Sequence, residues 1–180
     1  MRHLLAAISP HGFGHLAQSA AVLNALRARH PELRLTIRSA LPRAVLERRI
    51  DRPFDLQVAI DDFGMVQRDA LEVDAEASAI RYAEWHRRWE QRVDRVAAEL
   101  RAAAPDLVMA DIPYLTLAAA ERAAIPSMAM CCLNWADIYR HYCSHRPEAG
   151  TVLEQMEAAY NSADVFLRTA PSMPMHFLDN

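Results

Sequence analysis

The sequence contains no lysine, and all 20 of its basic residues are arginine. This absence excludes mechanisms that need a lysine amine, such as a Schiff base or the phosphate-binding lysine of a P-loop. No apolar run reaches the ~20 residues of a membrane-spanning helix, although peripheral contact with a membrane is left open. The net charge of −3 gives no reason to expect nucleic-acid binding.

Cysteine is scarce as well, with only Cys131, Cys132 and Cys143. Neighbouring cysteines rarely pair with each other, and this spacing matches no zinc-binding pattern. The apolar N-terminal residues lead directly into a histidine-containing loop, which is a poor place for signal-peptide cleavage. We therefore expect free thiols and a cytoplasmic protein.

Only four glycines are present, and two of them lie between histidines in His11-Gly12-Phe13-Gly14-His15. Residues 3–8 predict a buried strand and residues 16–30 a helix, so this segment is the loop between them. In an open parallel sheet such a loop binds ligands. Glycine allows a close backbone approach, the helix N-terminus favours an anionic or strongly polar ligand, and histidine exchanges a proton near neutral pH.

We therefore take His11 and His15 as candidate catalytic residues and Gly12, Phe13 and Gly14 as candidate substrate-binding residues. The alternative is an idle tight turn with exposed histidines. Neither a dinucleotide-binding nor a P-loop pattern is present, because a third glycine and a Gly-Lys-Ser/Thr sequence are both lacking.

Strand and helix patterns alternate along the chain, which predicts an α/β, Rossmann-like parallel sheet with helices on both faces. The further predicted strands are residues 33–39, 54–60, 107–110, 127–132 and 165–168. The further predicted helices are residues 42–50, 71–103, 115–124, 135–143 and 150–162.

The carboxyl ends of the first, fourth and fifth strands should meet at one edge of this sheet. This brings Asp111, Asn134 and Trp135 close to the histidine loop. Asp111 is either the N-cap of the following helix or the carboxylate that orients a histidine base. A metal site on the two histidines lacks a convincing third ligand, so we expect no metal.

The histidine loop, followed by an alanine-rich helix, resembles the first βα loop of GT-B glycosyltransferases. Three further segments are similar to the glycosyltransferase-like N-terminal region of plant-type arabinokinases: residues 62–71 with 73–74, 106–113 and 134–139. Together these similarities extend from residue 3 to about residue 143.

The resemblance implies that residues 1–170 form an acceptor-side GT-B domain. Residues 171–180 would begin the connection to a second, donor-binding domain outside this sequence. The Gly-His element of the family falls on Gly14-His15, which makes His15 the first candidate for the base or for donor contact, and His11 the second.

The implied function is transfer of a hexosyl or related group from a nucleotide sugar to a hydroxyl of a sugar or sugar-bearing acceptor. The complete enzyme would do this without a cofactor, and this chain alone would be inactive. The alternative is a non-catalytic sugar-binding or nucleotide-sugar-binding module, as in a fusion with a sugar kinase. A nucleotide-sugar epimerase shares the architecture but would need further carboxylates in the cleft.

Overall fold

The computed structural model describes residues 2–178, in which strands and helices alternate as the sequence predicts. The strands are β1 His3–Ile8, β2 Arg34–Arg38, β3 Asp55–Gln57, β4 Leu107–Asp111, β5 Ser127–Cys131 and β6 Val165–Arg168. The helices are α1 Phe13–Arg29, α2 Arg43–Leu46, α3 Ala75–His86, α4 Trp89–Ala103, α5 Tyr114–Ala123, α6 Trp135–Cys143 and α7 Ala149–Asn161.

The strands form one parallel sheet in the order β3-β2-β1-β4-β5-β6. Strand β1 pairs with β2 on one side and with β4 on the other, so the strand order reverses there. At such a reversal the connections after the two strands leave in opposite directions and open a crevice at their carboxyl ends. The crevice of this sheet lies beside the ends of β1 and β4.

Helices cover both faces of the sheet, because successive side chains of a buried strand point to opposite faces. Leu4, Ala6 and Ile8 of β1 pack with α1 and α2. Leu5 and Ala7 pack in a larger core with residues of α3 to α7. The predicted α/β, Rossmann-like architecture is confirmed.

The single helix predicted over residues 71–103 is wrong, because the structure has two helices separated at Arg87 and Arg88. Helix α3 begins only after Asp74, whose side chain accepts a hydrogen bond from the backbone N–H of Ala77. No glycine or proline marks the break in the sequence. Arg92 of α4 donates across the break to the carbonyl oxygen of Trp85 at 3.0 Å, and His86 at the end of α3 bonds to the distant side chains of Gln155 and Tyr114.

Three further boundaries differ from prediction by three or more residues, and one of them is the end of α2, which lies at Leu46 rather than at residue 50. Helix α1 begins at Phe13 rather than at residue 16, so His15 lies on the first turn of the helix and not in the loop. Strand β3 ends at Gln57 rather than at residue 60. It is an edge strand that pairs only with β2, and beyond it the backbone N–H of Ala59 donates to the carbonyl oxygen of Ser39 at 3.4 Å.

The predicted connecting segment, residues 171–180, is described up to Leu178, and residues 179 and 180 lie outside the described residues. The backbone N–H of Met173 donates to the carbonyl oxygen of Cys132, and Met175 is buried against the larger core. Among the helices of residues 2–178, none combines the length and the apolar character needed to cross a membrane.

Candidate functional site

The predicted loop residues 11–15 occupy the end of the β1–α1 connection and the first turn of α1. Gly12 precedes the helix with a φ of +86°, which side chains rarely tolerate. No side chain caps this helix start and no acidic residue lies in its first turn, so its N–H groups favour a polar or anionic ligand. Phe13 and Gly14 are exposed, whereas His11 is half-buried and His15 is buried. The histidines are therefore not exposed, in contrast to what the alternative of an idle turn expected, and a ligand-binding role of the turn stays a prediction.

His15 forms a hydrogen bond with Asp111, the last residue of β4. The distance between His15 Nδ1 and Asp111 Oδ1 is 2.9 Å. The other carboxylate oxygen, Oδ2, accepts a hydrogen bond from Ser19 Oγ at 2.8 Å. Ser19 lies one helical turn after His15, on the same face of α1. The sequence analysis missed Ser19, although its spacing from His15 was a usable signal.

The alternative role of Asp111 as a helix cap does not occur. Helix α5 begins at Tyr114 after Pro113, and no side chain caps it. The Asp111 side chain is fully buried and turns toward α1 instead.

This contact determines which nitrogen of His15 can act as a base. An ionised carboxylate only accepts hydrogen bonds, so Nδ1 of His15 carries the hydrogen that Asp111 accepts. The basic lone pair of the neutral ring is then on Nε2, which hydrogen-bonds to no group among residues 2–178. A buried histidine in this arrangement can take a proton while the carboxylate stabilises the resulting charge.

Cys131, at the end of β5, lies beside the His15–Asp111 pair, with Sγ 3.7 Å from Nδ1 of His15. One ligand atom from each of these three buried residues lies within 4.8 Å of the others, a spacing that could surround a metal ion. A metal would need the thiolate of Cys131 and would replace the hydrogen bond between His15 and Asp111. Burial raises the pKa of the Cys131 thiol well above its usual range, so the thiol beside the pair is protonated.

His11 is held between two other segments of the chain. Its ring meets the Trp135 ring edge-on, with 5.1 Å between centroids, and its backbone N–H donates to Ser9 Oγ at 3.2 Å. A Cβ atom at Gly64 would lie 2.4 Å from the ring of His11, so only glycine allows this approach. Burial and the positive charge of His15 lower the pKa of His11, against a hydrogen bond to the Phe63 backbone that raises it.

Asp62 is a buried carboxylate of this site whose position the sequence analysis did not predict. Its Oδ1 accepts from Ser9 Oγ at 2.9 Å, and its Oδ2 accepts from Trp135 Nε1 at 2.7 Å. Burial raises the pKa of Asp62 to about 6, although both hydrogen bonds and the charge of His15 lower it. The sequence signals were the position of Asp61-Asp62 after a predicted strand and the resemblance that begins at residue 62.

The two predicted residues at the start of α6 have defined structural roles. Asn134 is fully buried and is the N-cap of α6, its side chain accepting from the backbone N–H of Asp137 at 2.7 Å. Trp135 is buried, and its ring lies 6.0 Å from that of His15. Their roles in substrate binding stay predictions.

Asp61, next to Asp62 in sequence, belongs to a separate ion pair. It accepts hydrogen bonds from the Arg38 guanidinium at 2.5 and 3.1 Å and from Thr116 Oγ1 at 2.7 Å. Arg38 is also paired with Glu99. Asp61 therefore contacts Arg38 and Thr116, whereas the partners of Asp62 contact the histidines.

No protein-family model and no curated protein matches this sequence. Solved structures do match it in fold. UGT89C1 of Arabidopsis thaliana in complex with UDP has a TM-score of 0.52 at 12% identity, over 92% of this chain and 41% of that one. The S. aureus MnaA–UDP structure has a TM-score of 0.52 at 14% identity, over 93% of this chain and 38% of that one.

A Listeria monocytogenes protein to which UDP-N-acetylglucosamine 2-epimerase activity is ascribed has a TM-score of 0.51 at 14% identity, over 92% of this chain and 39% of that one. The chain thus spans about two fifths of each of these structures. Identities this low show the fold alone, which is the Rossmann-like fold found in GT-B glycosyltransferases and related UDP-sugar proteins. They do not show a particular closeness to arabinokinases.

Proposed function

We propose that this chain is the acceptor-side domain of a GT-B glycosyltransferase. The observation that carries the proposal is the hydrogen bond between His15 and Asp111 at the crevice between β1 and β4. This is the place where open α/β sheets bind ligands, and the pair supplies a base together with the carboxylate that orients it.

In the proposed reaction, Nε2 of His15 accepts the proton of an acceptor hydroxyl. The hydroxyl oxygen forms a bond to the anomeric carbon of the donor sugar, while the bond from that carbon to the nucleoside diphosphate breaks. Asp111 stabilises the imidazolium that forms, and Ser19 fixes the second oxygen of Asp111. Gly12, Phe13, Gly14, Asn134 and Trp135 would line or support the acceptor subsite.

The solved structures support the choice of substrate class, because UGT89C1 and MnaA both hold UDP. A nucleotide sugar is consumed as a substrate, so the reaction needs no resident cofactor, and His15 removes the need for a metal-activated hydroxyl. The chain spans about two fifths of these structures, and we assign the donor site to a second domain in the complete gene product.

The first test is the size of the complete gene product, measured by immunoblot with an antibody to this domain. A product about twice the 20.3 kDa of this chain fits a two-domain transferase. A much larger product favours fusion to another enzyme, such as a sugar kinase. A product of 20.3 kDa contradicts the transferase proposal and leaves a sugar-binding module.

The second test is turnover of the complete gene product with UDP-sugars and a panel of hydroxyl acceptors, followed by release of the nucleoside diphosphate. His15→Gln should lower kcat by about 10²–10⁴-fold, the usual contribution of a general base. His145→Gln is the matched control, since His145 is exposed on the chain between α6 and α7. Unchanged turnover in His15→Gln would overturn the role of His15, and UDP-sugar binding without turnover in the wild type would favour the binding module.

A further inference from the structure

The segment that carries Asp62 crosses the carboxyl edge of the sheet. Strand β3 lies at one edge of the sheet, with β2, β1 and β4 between it and β5. Asp62 nevertheless contacts Ser9, directly after β1, and Trp135, at the start of the helix that follows β5. One side chain thus joins three distant parts of the sequence at the histidine site.

The surroundings of Asp62 differ from those of a structural ion pair. Asp62 is 1% exposed, and no arginine among residues 2–178 forms a salt bridge with it, whereas its neighbour Asp61 is paired with Arg38. Burial of a carboxylate without a paired cation is unfavourable. Its two hydrogen-bond donors, Ser9 Oγ and Trp135 Nε1, are the compensation that the structure provides.

Both donors also contact the histidines. Ser9 Oγ, which donates to Asp62, accepts from the backbone N–H of His11. The indole of Trp135, whose N–H donates to Asp62, lies edge-on to the His11 ring at 5.1 Å and tilted to the His15 ring at 6.0 Å. Asp62 therefore reaches the histidines through two independent contacts.

We propose that Asp62 is a positioning residue for His11 and His15. Asp62 holds Ser9 and Trp135 in place, and these two residues fix the backbone of His11 and the rings of both histidines. The structural part of this inference stands on the contacts alone, and its consequence for turnover rests on the proposed function. Asp62 acts through Ser9 and Trp135 and needs no contact with substrate.

The pKa of Asp62 depends on the charged and titratable groups that face it, so it can report a change in these surroundings. His15 attracts the carboxylate and Asp61 repels it. Burial raises the pKa of the hydroxyls of Tyr82, Tyr114 and Tyr160, and the negative charge of Asp62 adds a smaller contribution in the same direction. Each hydrogen bond to Asp62 lowers its pKa, so loss of either donor should raise that pKa further.

The test uses NMR titrations of the 180-residue chain, following the Asp62 carboxyl carbon and the His11 ring. Trp135→Phe keeps a ring against the histidines but removes the N–H donor, and Asp62→Asn keeps the size of the side chain but removes its charge. Trp135→Phe should raise the Asp62 pKa, and both variants should raise the His11 pKa by about half a unit or more as that ring becomes more accessible to water. Trp85→Phe is the matched control, because the indole N–H of Trp85 has no hydrogen-bond partner within residues 2–178, and this variant should shift neither pKa.

A His11 titration that is unchanged in both variants would overturn the inference. If Asp62→Asn fails to fold, Trp135→Phe alone decides, since it leaves the carboxylate in place. In the complete gene product Asp62→Asn should lower kcat by roughly 10–100-fold, as expected for a misplaced catalytic group, with little change in KM. Shifted titrations in a gene product without transferase activity would support the positioning role and contradict the proposed function. Unchanged titrations in an active enzyme would contradict the positioning role and support the proposed function.

Discussion

Two histidines of this protein are buried to the same extent but have different surroundings. His15 is 5% exposed and His86 is 6% exposed. His15 is hydrogen-bonded to the carboxylate of Asp111 at the end of β4, and its Nε2 stays unbonded within residues 2–178. His86 lies on α3 in the helix layer, where Nδ1 bonds to Gln155 at 2.7 Å and Nε2 to the Tyr114 hydroxyl at 2.9 Å.

The comparison shows that burial alone does not identify a functional histidine. His86 has neutral partners on both nitrogens and stacks with Trp89 at 5.0 Å, so its ring is a packing element. Burial lowers the pKa of His86 to about 4, only partly opposed by the hydrogen bond to Gln155, so the ring is neutral near pH 7. At His15, a charged partner on one nitrogen and an unbonded second nitrogen are the properties of a base.

The largest expected difference between the two histidines is in kcat, when the residue that hydrogen-bonds to each of them is replaced. Asp111→Asn offers His15 an amide that can hydrogen-bond to either tautomer, and we expect kcat of the complete gene product to fall by about 10²–10⁴-fold. Gln155→Leu removes a partner of His86 and should leave kcat within about threefold, because no charge is lost at the site. Equal effects of the two variants on kcat would contradict the distinction.

The second prediction concerns stability. His86→Ala leaves a cavity among stacked rings and two unpaired hydrogen-bonding groups, which should cost about 3 kcal/mol of unfolding free energy. Thermal unfolding should then shift down by roughly 6–12 °C. Tyr114→Phe, which removes only the hydroxyl, should cost about 1 kcal/mol. An unchanged melting temperature for His86→Ala would show that the helix layer does not depend on this ring.

The third prediction compares two glycines beside the His15 site. Gly64→Ala would force a Cβ against the His11 ring at a φ of +63°, and should destabilise the fold by about 1–3 kcal/mol. Gly14→Ala lies on α1 with nothing within 4 Å of the added Cβ, and should be neutral or stabilising by up to about 1 kcal/mol. Chemical denaturation of both variants measures the difference, and a Gly64→Ala variant as stable as the wild type would contradict the observed approach of His11 to Gly64.

The smallest expected effect is on the pH dependence of stability. The folded-state pKa of His86 is about 4, below its ordinary value of 6.5, so the unfolded chain binds more protons between these values. Stability from His86 is therefore present above about pH 6.5 and is lost as the pH falls toward 4.

His86→Asn should flatten this acid slope relative to the wild type, measured as unfolding free energy at pH 7, 6 and 5. Asp62 opposes the slope, since its folded-state pKa is raised to about 6 and its contribution increases as the pH falls. Asp62 contributes equally in both proteins, so the difference between their unfolding free energies at each pH gives the contribution of His86. Parallel pH profiles of the two proteins would show that folding does not change the pKa of His86.

Much of the fold could be predicted because it is encoded locally. Alternating strand and helix patterns indicated each strand of the sheet, and scarce glycine marked the loop at Gly12. The break between α3 and α4 could not be predicted, since residues 87 and 88 are ordinary helix formers and the last residue of α3, His86, bonds to the distant side chains of Gln155 and Tyr114. Helix propensity is a weak preference that tertiary contacts of this kind override.

The candidate site, like the fold, could be predicted only in part. His11, His15, Asp111, Asn134 and Trp135 were predicted to lie close together, since parallel strands place their carboxyl ends at one edge. His15 does contact Asp111, at 2.9 Å, and the ring of Trp135 lies 5.1 Å from that of His11. Asp62 was not placed, because its position depends on an irregular segment that crosses the sheet.

By itself the sequence determined the parallel α/β class, the histidine loop and the residues available for acid–base chemistry, because periodicity, glycine and residue type are local properties. Only the tertiary structure decided which carboxylate meets which group: Asp111 pairs with His15, Asp61 with Arg38, and Asp62 with Ser9 and Trp135. Each of these carboxylates is buried, and a buried charge is stable only where distant parts of the chain bring it hydrogen-bond donors.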